Sequence, residues 1–368
     1  MEEEPMGINL HFDDADWQRI ERDYPAWWAH ELDRPLILVM GQEIDPTVEL
    51  PVLHEFVSNY PLEMPADEVI ARITPHLETM RYYGDAYPRW WVNFGPGIMA
   101  GFLGAQVHSV EETVWFEPVE RQPIADLHPI LDPDNIWWRR VVDLTAAAAR
   151  AWGDRVQVGH TDLGGNLDIL ASLRTTEGLL YDLYDAPDEV ERLAGEITAL
   201  WICYYDALYD VIAPVCRATT PWAPIWSPGK TYMLQCDFSY MISPAMFERF
   251  VMPDLVACCD HLDHAFYHLD GQGQIPHLDM LLSIERLRGI QWVPGDGAPP
   301  PDRRLDLLKR IIDGGKLCQV SVSAEGAHRI VKELGGKGFM LSVSDPMPAE
   351  EAEAFLKIMA RDDISLRR

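Results

Sequence analysis

Short, continuous apolar runs recur along this chain, and longer stretches with helical spacing separate them. A strand that is buried on both faces reads as such an unbroken apolar run. Eight runs are therefore strand candidates, at residues 35–40, 90–94, 155–159, 233–238, 265–270, 289–293, 316–322 and 339–343. Strands that alternate with helices are typical of a parallel sheet, so the pattern predicts an α/β fold.

The number of strand candidates predicts how the sheet closes. Eight parallel strands with intervening helices close naturally into a (β/α)8 TIM barrel, and a single barrel can account for the whole chain, 1–368. An open, doubly wound sheet is the alternative. Such a sheet usually carries a Gly-rich dinucleotide or phosphate loop, and the chain contains no such motif. We therefore expect one TIM-barrel domain.

Two segments depart from the strand–helix alternation. Residues 1–34 predict a helical N-terminal extension, in which Trp27 and Trp28 are available for packing. Residues 97–118, after the second strand, predict a β-hairpin insertion. Strand-to-helix loops of a barrel emerge at the end where active sites lie. We therefore expect the hairpin to cover the site and to exclude water from it.

Composition and charge exclude several classes of partner. The chain has 59 acidic residues against 30 Lys and Arg, a formal charge of −29. Nucleic acids and anionic membranes need a basic protein face, so we expect neither as a partner. No apolar run reaches about 18 residues, and the Glu-rich start has no signal-peptide pattern. The six cysteines form no C-x-x-C pair, which predicts reduced, mostly buried thiols and a cytoplasmic protein.

Polar residues at the ends of the predicted strands are the candidate chemistry. His268 and Asp270 are two residues apart at the end of one strand, so their side chains leave on the same face, and Gly271 lets the chain turn. Asp345 follows the last strand. Active sites of barrels lie at the carboxyl ends of the strands, so we expect these three side chains to converge there.

One histidine and two carboxylates suit two kinds of site. They can hold a divalent metal, zinc foremost, or they can perform acid–base chemistry without a metal. The sequence does not distinguish the metal site from the metal-free acid–base site. His268, Asp270 and Asp345 are accordingly the predicted catalytic residues and metal ligands. Other polar or aromatic residues near the strand ends are predicted to bind the substrate: Asn93, Asp162, Asn166, Gln235, Asp237, Gln291 and Trp292.

Three motifs carry a resemblance to a known family. The segment 237–247, Asp-Phe-Ser-Tyr-Met-Ile-Ser-Pro-Ala-Met-Phe, and the segment 179–190 resemble the uroporphyrinogen decarboxylase superfamily. His268-Leu269-Asp270-Gly271 is similar to the His-x-Cys-Gly motif of its corrinoid-linked methyltransferases, in which the histidine and two cysteines bind zinc. The register of the last strand places Asp345 at the second of these cysteines. Both thiolate positions therefore hold aspartate in this chain.

The resemblance implies a function together with a change in the site. It implies methyl transfer or demethylation of a small polar substrate, with a separate corrinoid protein as partner. Carboxylates leave a metal more Lewis acidic than thiolates do, which favours an oxygen-bearing substrate over a thiol. The chain lacks the Asp-x-His-x-x-Gly motif, so we expect no corrinoid bound by the chain itself. Residues 1–60 also lack the arginine motif of the decarboxylase proper.

Two other functions remain open from the sequence. One is a metal-assisted or acid–base decarboxylase, lyase or hydrolase that acts on a small oxygen-rich compound. The other is a barrel that binds a small ligand without catalysis. Whatever the function, the Trp-rich N-terminal region offers a surface for a homodimer.

Overall fold

The computed structural model describes residues 7–365. The first six residues of the predicted N-terminal extension lie outside the described residues. The chain divides into two compact units. Unit 1 is built mainly from residues 52–73 and 89–265, and unit 2 from residues 8–51, 74–88 and 266 onward. The single TIM-barrel domain over 1–368 stays a prediction.

Strands and helices alternate through most of the described chain. The strands are β1 (Leu36–Gln42), β2 (Met80–Gly84), β3 (Arg89–Trp91), β4 (Gln106–Val110), β5 (Thr113–Glu117), β6 (Gln157–Gly159), β7 (Thr231–Leu234), β8 (His264–Asp270), β9 (Leu287–Val293), β10 (Leu317–Val322) and β11 (Phe339–Val343). Each of the eight predicted strands overlaps one of them. The mixed α/β class is thus confirmed.

The helices differ widely in length. They are α1 (Asp14–Trp28), α2 (Ala66–Thr79), α3 (Met99–Phe102), α4 (Ile136–Trp152), α5 (Asn166–Arg174), α6 (Thr176–Asp185), α7 (Pro187–Ile212), α8 (Pro244–Phe250), α9 (Met252–His261), α10 (Leu278–Ser283), α11 (Leu305–Asp313), α12 (Ala324–Leu334) and α13 (Ala349–Ser365). Within residues 7–365, none of them combines the length and the apolar character that crossing a membrane requires.

Side-chain caps explain where several helices begin. The carboxylate of Asp13 accepts hydrogen bonds from the backbone N–H groups of Ala15 and Asp16 at the start of α1. The Ser243 hydroxyl accepts one from the N–H of Met246, and Pro244 occupies the first turn of α8. These contacts satisfy N–H groups that have no partner inside the helix. Serine and aspartate are favoured at such positions for this reason.

Unit 2 contains strands of one sheet, in the order β2-β1-β11-β10-β9-β8. Neighbouring pairs from β1 to β9 are parallel, with Leu341 of β11 opposite Ile37 of β1 and Val320 of β10. The edge strand β2 is antiparallel to β1, with Tyr83 opposite Val39. Helical spacing over 65–83 predicts one helix there, and that prediction is wrong beyond Thr79. Residues 80–84 form a strand instead, because the edge of β1 offers backbone groups for hydrogen bonds. Tyr82 and Tyr83 also favour strand geometry.

The core of unit 2 uses the tryptophans of α1. The rings of Trp27 and Trp28 pack on Phe266 of β8, with centroids 5.9 Å and 5.7 Å apart. Both tryptophans are buried. A side chain at Gly289 on β9 would collide with the Phe266 ring, because a Cβ there would lie 2.1 Å from it. Packing of this aromatic cluster therefore fixes α1 against the strands that carry His268 and Gln291.

Unit 1 contains a parallel strand pair and the predicted hairpin. Strands β3 and β6 pair in parallel, with Trp90 opposite Val158. Strands β4 and β5 pair antiparallel, with Val107 opposite Phe116, which confirms a hairpin within 97–118. Among the described residues of unit 1, the strand pairings include this pair and this hairpin. Closure into an eight-stranded barrel stays a prediction.

The cysteines differ in exposure. Cys203 on α7 is exposed, and the other five are buried, with no disulfide among the described residues. Burial raises the pKa of Cys216 to about 11, so its thiol stays protonated at neutral pH. Cys318 is the one cysteine of unit 2, on β10.

Candidate functional site

The end of β8 presents the pair of residues that its spacing predicts. His268 and Asp270 are half-buried, and each offers a ligand atom within 4.8 Å of the other. Gly271 follows with φ of +75°, a conformation that glycine adopts without strain. Its N–H donates to the carbonyl oxygen of Val293 at 2.8 Å. The strand therefore turns directly after the pair, and both side chains stay at its carboxyl end.

Gln291 on the neighbouring strand β9 orients the His268 ring. Its side-chain oxygen Oε1 is in hydrogen-bond contact with Nδ1 of His268, and Gln291 is only 8% exposed. An amide oxygen accepts and cannot donate, so Nδ1 carries the ring proton. In the neutral ring with this tautomer, Nε2 is the nitrogen that can bind a metal. Metal-binding histidines are commonly held in this way by a partner on the other ring nitrogen.

Asp345 lies in a different environment. It is exposed and follows β11 by two residues. The N–H of Ser344 donates to the carbonyl oxygen of Val322 at 2.9 Å, which holds the end of β11 beside β10. In the described part of the chain, Asp345 does not join His268 and Asp270 in a group of ligand atoms within 4.8 Å of one another. The structure thus brings together the His268–Asp270 pair, and the role of Asp345 stays a prediction.

Trp292 is part of the interior of unit 2. It is 1% exposed, and successive side chains of a strand point to opposite faces, so it faces away from Gln291. Its indole N–H has no hydrogen-bond acceptor among the described residues. Its predicted contact with a substrate stays a prediction.

Asp162 and Gln235 form a buried polar pair in unit 1. They follow β6 and β7, and both are 5% exposed. The amide of Gln235 lies 3.5 Å from Oδ2 of Asp162, and Oδ1 of Asp162 accepts the N–H of Gly164 at 2.9 Å. Burial raises the pKa of Asp162 to about 7. This carboxyl group can therefore gain or lose a proton near neutral pH.

The predicted substrate ligands Asn93 and Asn166 have partners within unit 1. The amide of Asn93 donates to the carbonyl oxygen of Glu55 at 3.1 Å, and its oxygen accepts the N–H of Gly95 at 3.0 Å. The amide of Asn166 contacts the Thr198 hydroxyl and the Asp254 carboxyl group. These contacts hold loops and helices together. Substrate binding by either residue stays a prediction.

Asp168 is a site residue that the sequence reasoning missed. It lies in the first turn of α5, and its two carboxyl oxygens accept the N–H groups of Asp237 and Phe238 at 3.0 Å and 2.7 Å. Burial, and then repulsion from Asp237, raise its pKa to about 8 in spite of these hydrogen bonds. The available signal was an acidic residue in the first helical turn after a predicted strand.

A cavity of about 830 Å³ lies beside Asp168 in unit 1. Strand β5 of the hairpin forms one wall with Trp115, Phe116 and Glu117. Helix α5 contributes Asp168, and the turn that begins at Asp237 lies directly beside it. The hairpin thus borders a cavity that contains Asp237, one of the predicted substrate-binding residues.

Comparisons with known proteins concern the fold. No protein-family model matches the chain, and no curated protein matches it in sequence. Among solved structures, a methyltransferase from Methanosarcina mazei is similar, with a TM-score of 0.59 over 92% of this chain and 97% of that one. The two sequences are 12% identical, so the similarity shows a shared fold and leaves the chemistry to the site. The resemblance to the uroporphyrinogen decarboxylase superfamily stays a prediction.

Proposed function

We propose that this chain is an enzyme that transfers a methyl group from a small oxygen-bearing substrate to a separate corrinoid protein. The observation that carries the proposal is the His268–Asp270 pair at the end of β8, with the ring of His268 oriented by Gln291. The fold similarity to a protein described as a methyltransferase supports the reaction class.

A divalent metal fits the donor atoms of this pair. One imidazole nitrogen and one carboxylate oxygen lie within 4.8 Å of each other, and the proton on Nδ1 leaves Nε2 as the ligating atom. We propose His268 and Asp270 as ligands and Asp345 as the third. When bound, such an ion supplies Lewis acidity that polarises an oxygen of the substrate. Carboxylate oxygens are harder ligands, in the hard–soft sense, than the two thiolates of the family that the sequence resembles.

The residues of the chain have separate tasks in this proposal. Gln291 holds the His268 ring in one orientation, so that Nε2 needs no reorganisation when it binds. Asp270 supplies a negative charge close to the ring. The turn at Gly271 keeps this carboxylate at the strand end. Together they form a preorganised pair on a rigid strand, which is where precise sites are best built.

The same pair supports a second candidate function, acid–base catalysis without a metal. Nε2 can accept a proton from a substrate, because Nδ1 already carries one. The carboxylate of Asp270 within 4.8 Å stabilises the imidazolium ion that then forms. A decarboxylase, lyase or hydrolase would use the pair in this way.

Metal binding tests the first proposal. We expect protein purified without chelator and supplied with zinc to hold about one ion per chain. His268→Ala and Asp270→Asn should each abolish tight binding, and Asp345→Asn should weaken it. Asp296→Asn, at an exposed position of the same unit, is the matched control. Unchanged zinc binding by Asp270→Asn would contradict the assignment of this ligand.

A double substitution tests Asp345 specifically. Asp270→Cys with Asp345→Cys recreates two thiolates beside the histidine, and thiolates bind zinc well. We expect this variant to bind zinc at least as tightly as the natural sequence does. If Asp270→Cys alone binds zinc as tightly as the double variant, Asp345 is not a ligand.

Turnover separates the two functions. Purified protein is incubated with cob(I)alamin and a panel of methyl ethers and methyl esters, and the absorbance of methylcobalamin is followed. We expect methylcobalamin to form with at least one substrate and to form more slowly with Asp270→Asn. Release of CO₂ or an alcohol without methylcobalamin would instead establish the acid–base function.

A further inference from the structure

The cavity beside Asp168 carries an excess of negative side chains. Four carboxyl groups line it, from Glu117, Asp168, Glu177 and Asp237, against the single guanidinium group of Arg121. The cavity lies wholly within unit 1. A solvated acidic surface alone would need no ligand, but this cavity also has an aromatic wall and a carboxyl group in a fixed position.

One wall is aromatic and held in a fixed orientation. The Trp115 ring stacks on His108 across the hairpin, with centroids 5.0 Å apart and planes inclined by 11°. This stack covers part of the indole, and Trp115 still keeps 41% of its surface exposed. Phe116 and Met241 extend the apolar lining. An indole ring that borders a cavity attracts cations through its negative face.

The carboxyl group of Asp168 is fixed in the wall that α5 contributes. Its two oxygens accept backbone N–H groups at 2.7 Å and 3.0 Å, so it cannot rotate away without losing both hydrogen bonds. Its pKa is raised to about 8 by burial and then by the charges of Asp237 and Asp162. Burial and repulsion therefore favour the protonated form of Asp168, and a cation bound beside it would favour the carboxylate.

We propose that this cavity binds a small organic cation, an alkylammonium or quaternary ammonium group, between the Trp115 ring and the carboxyl groups of Asp168 and Asp237. A bare divalent cation would gain little from the aromatic and thioether wall, whereas an organic cation uses both walls. The volume of about 830 Å³ lies in the range of pockets that hold small molecules. This inference goes beyond the proposed methyl transfer and does not depend on a metal.

Calorimetric titration of the full-length protein tests the proposal with a matched pair of probes. Choline carries a quaternary ammonium group, and 3,3-dimethylbutan-1-ol has the same shape without the charge. We expect choline to bind with saturable heat and the neutral alcohol to bind at least about tenfold more weakly. Equal affinities for the two probes, or no saturable heat up to about 50 mM choline, would overturn the proposal.

Two substitutions assign the binding to this cavity. Trp115→Leu and Asp237→Asn should each weaken choline binding by about tenfold, because the first removes the aromatic face and the second removes one of the two proposed carboxyl contacts. Tyr184→Leu and Asp210→Asn, at exposed positions outside the cavity, are the controls and should bind like the natural sequence. Choline affinity unchanged by both cavity variants would place the binding elsewhere and refute the assignment. All four positions are at least partly exposed, so each variant should fold, and circular dichroism checks this.

Discussion

The contact between Gln291 and Nδ1 of His268 makes Gln291 a positioning residue. If Gln291 did not accept from Nδ1, the ring could carry its proton on either nitrogen and could rotate. The ligating nitrogen would then be available only part of the time. Gln291 would thus influence metal affinity without contacting the metal.

We therefore expect Gln291→Leu to weaken zinc binding by about 10–100-fold, the usual effect of losing such a partner. Competition with a chromophoric chelator measures the affinity. Gln319→Leu is the matched control, because Gln319 is a buried glutamine of the same sheet whose amide donates to the Ser342 hydroxyl. Equal zinc affinity of Gln291→Leu and the natural sequence would exclude this positioning role.

A second residue-scale feature is the proton on Asp254. The Thr198 hydroxyl lies 2.7 Å from the carbonyl oxygen of Ala194 and 2.9 Å from Oδ1 of Asp254. Oδ1 of Asp254 also accepts from the Asn166 amide, and such donors favour the ionised carboxyl group, whereas burial favours the neutral one. Burial raises the pKa of Asp254 to about 7, although hydrogen bonds from Thr198, Cys258 and Asn166 lower it.

This raised pKa predicts a pH dependence of stability. Between about pH 4 and pH 7 the folded protein keeps the Asp254 proton and the unfolded chain loses it, so the free energy of unfolding falls as pH rises. Asp254→Asn should remove this contribution, about 1.4 kcal/mol per pH unit, and should be less destabilising than Asp254→Ala. Urea unfolding at several pH values measures both. Parallel pH profiles for Asp254→Asn and the natural sequence would contradict the prediction.

At the scale of elements, the strands were predictable because a strand that is buried on both faces appears in the sequence as a continuous hydrophobic run. Strand β11 matches its predicted bounds, 339–343, and β8 differs from its prediction by one residue. The edge strand β2 has no such hydrophobic run, because pairing with β1 determines its structure. The His268–Asp270 pair was predictable for a similar reason, since a spacing of two residues is local.

The carboxyl group of Asp168 was not predictable from local pattern. Its partners, the N–H groups of Asp237 and Phe238, lie 69 and 70 residues away in the chain. The asparagines show the same limit, because the contact between Asn166 and Asp254 spans 88 residues. Spacing reveals which residues share a face of one element. It does not reveal which distant backbone or side chain will satisfy them.

The hairpin of β4 and β5 gives a prediction at this scale. Val114 packs against Gly95, and Ser109 donates to Asn59 at 2.6 Å, but much of the hairpin is exposed. Replacing residues 106–117 with a short Gly-Ser linker should weaken choline binding by about tenfold. The melting temperature should fall by only a few degrees, about 2–8 °C. Scanning calorimetry and titration measure the two effects, and global unfolding of the deletion variant would mark the hairpin as core.

At the scale of the whole molecule, charge and buried carboxyl groups act in the same direction. The formal charge of −29 opposes the compact state increasingly as carboxyl groups ionise. Burial also raises the pKa of Asp162 and Asp168, to about 7 and about 8. The folded state therefore keeps these protons at pH values at which the unfolded chain has already lost them. Both effects lower the free energy of unfolding between about pH 5 and pH 8.

We expect the melting temperature to be higher at about pH 5.5 than at about pH 8. Added salt should reduce this difference only in part, because it screens exposed charges far more than buried ones. Scanning calorimetry at two ionic strengths separates the two contributions. A melting temperature that rises from pH 5.5 to pH 8 would contradict both.

The distribution of cysteines has a practical consequence for following how each unit opens. A thiol-specific alkylating reagent should modify Cys203 in the native protein and leave the buried thiols unmodified until their surroundings unfold. Cys258 and Cys259 report on helix α9 of unit 1, and Cys318 reports on strand β10 of unit 2. The order in which mass spectrometry detects their alkylation, as urea increases, shows which unit is the less stable one. The chain thus carries its own set of chemical reporters, and no cysteine has to be introduced.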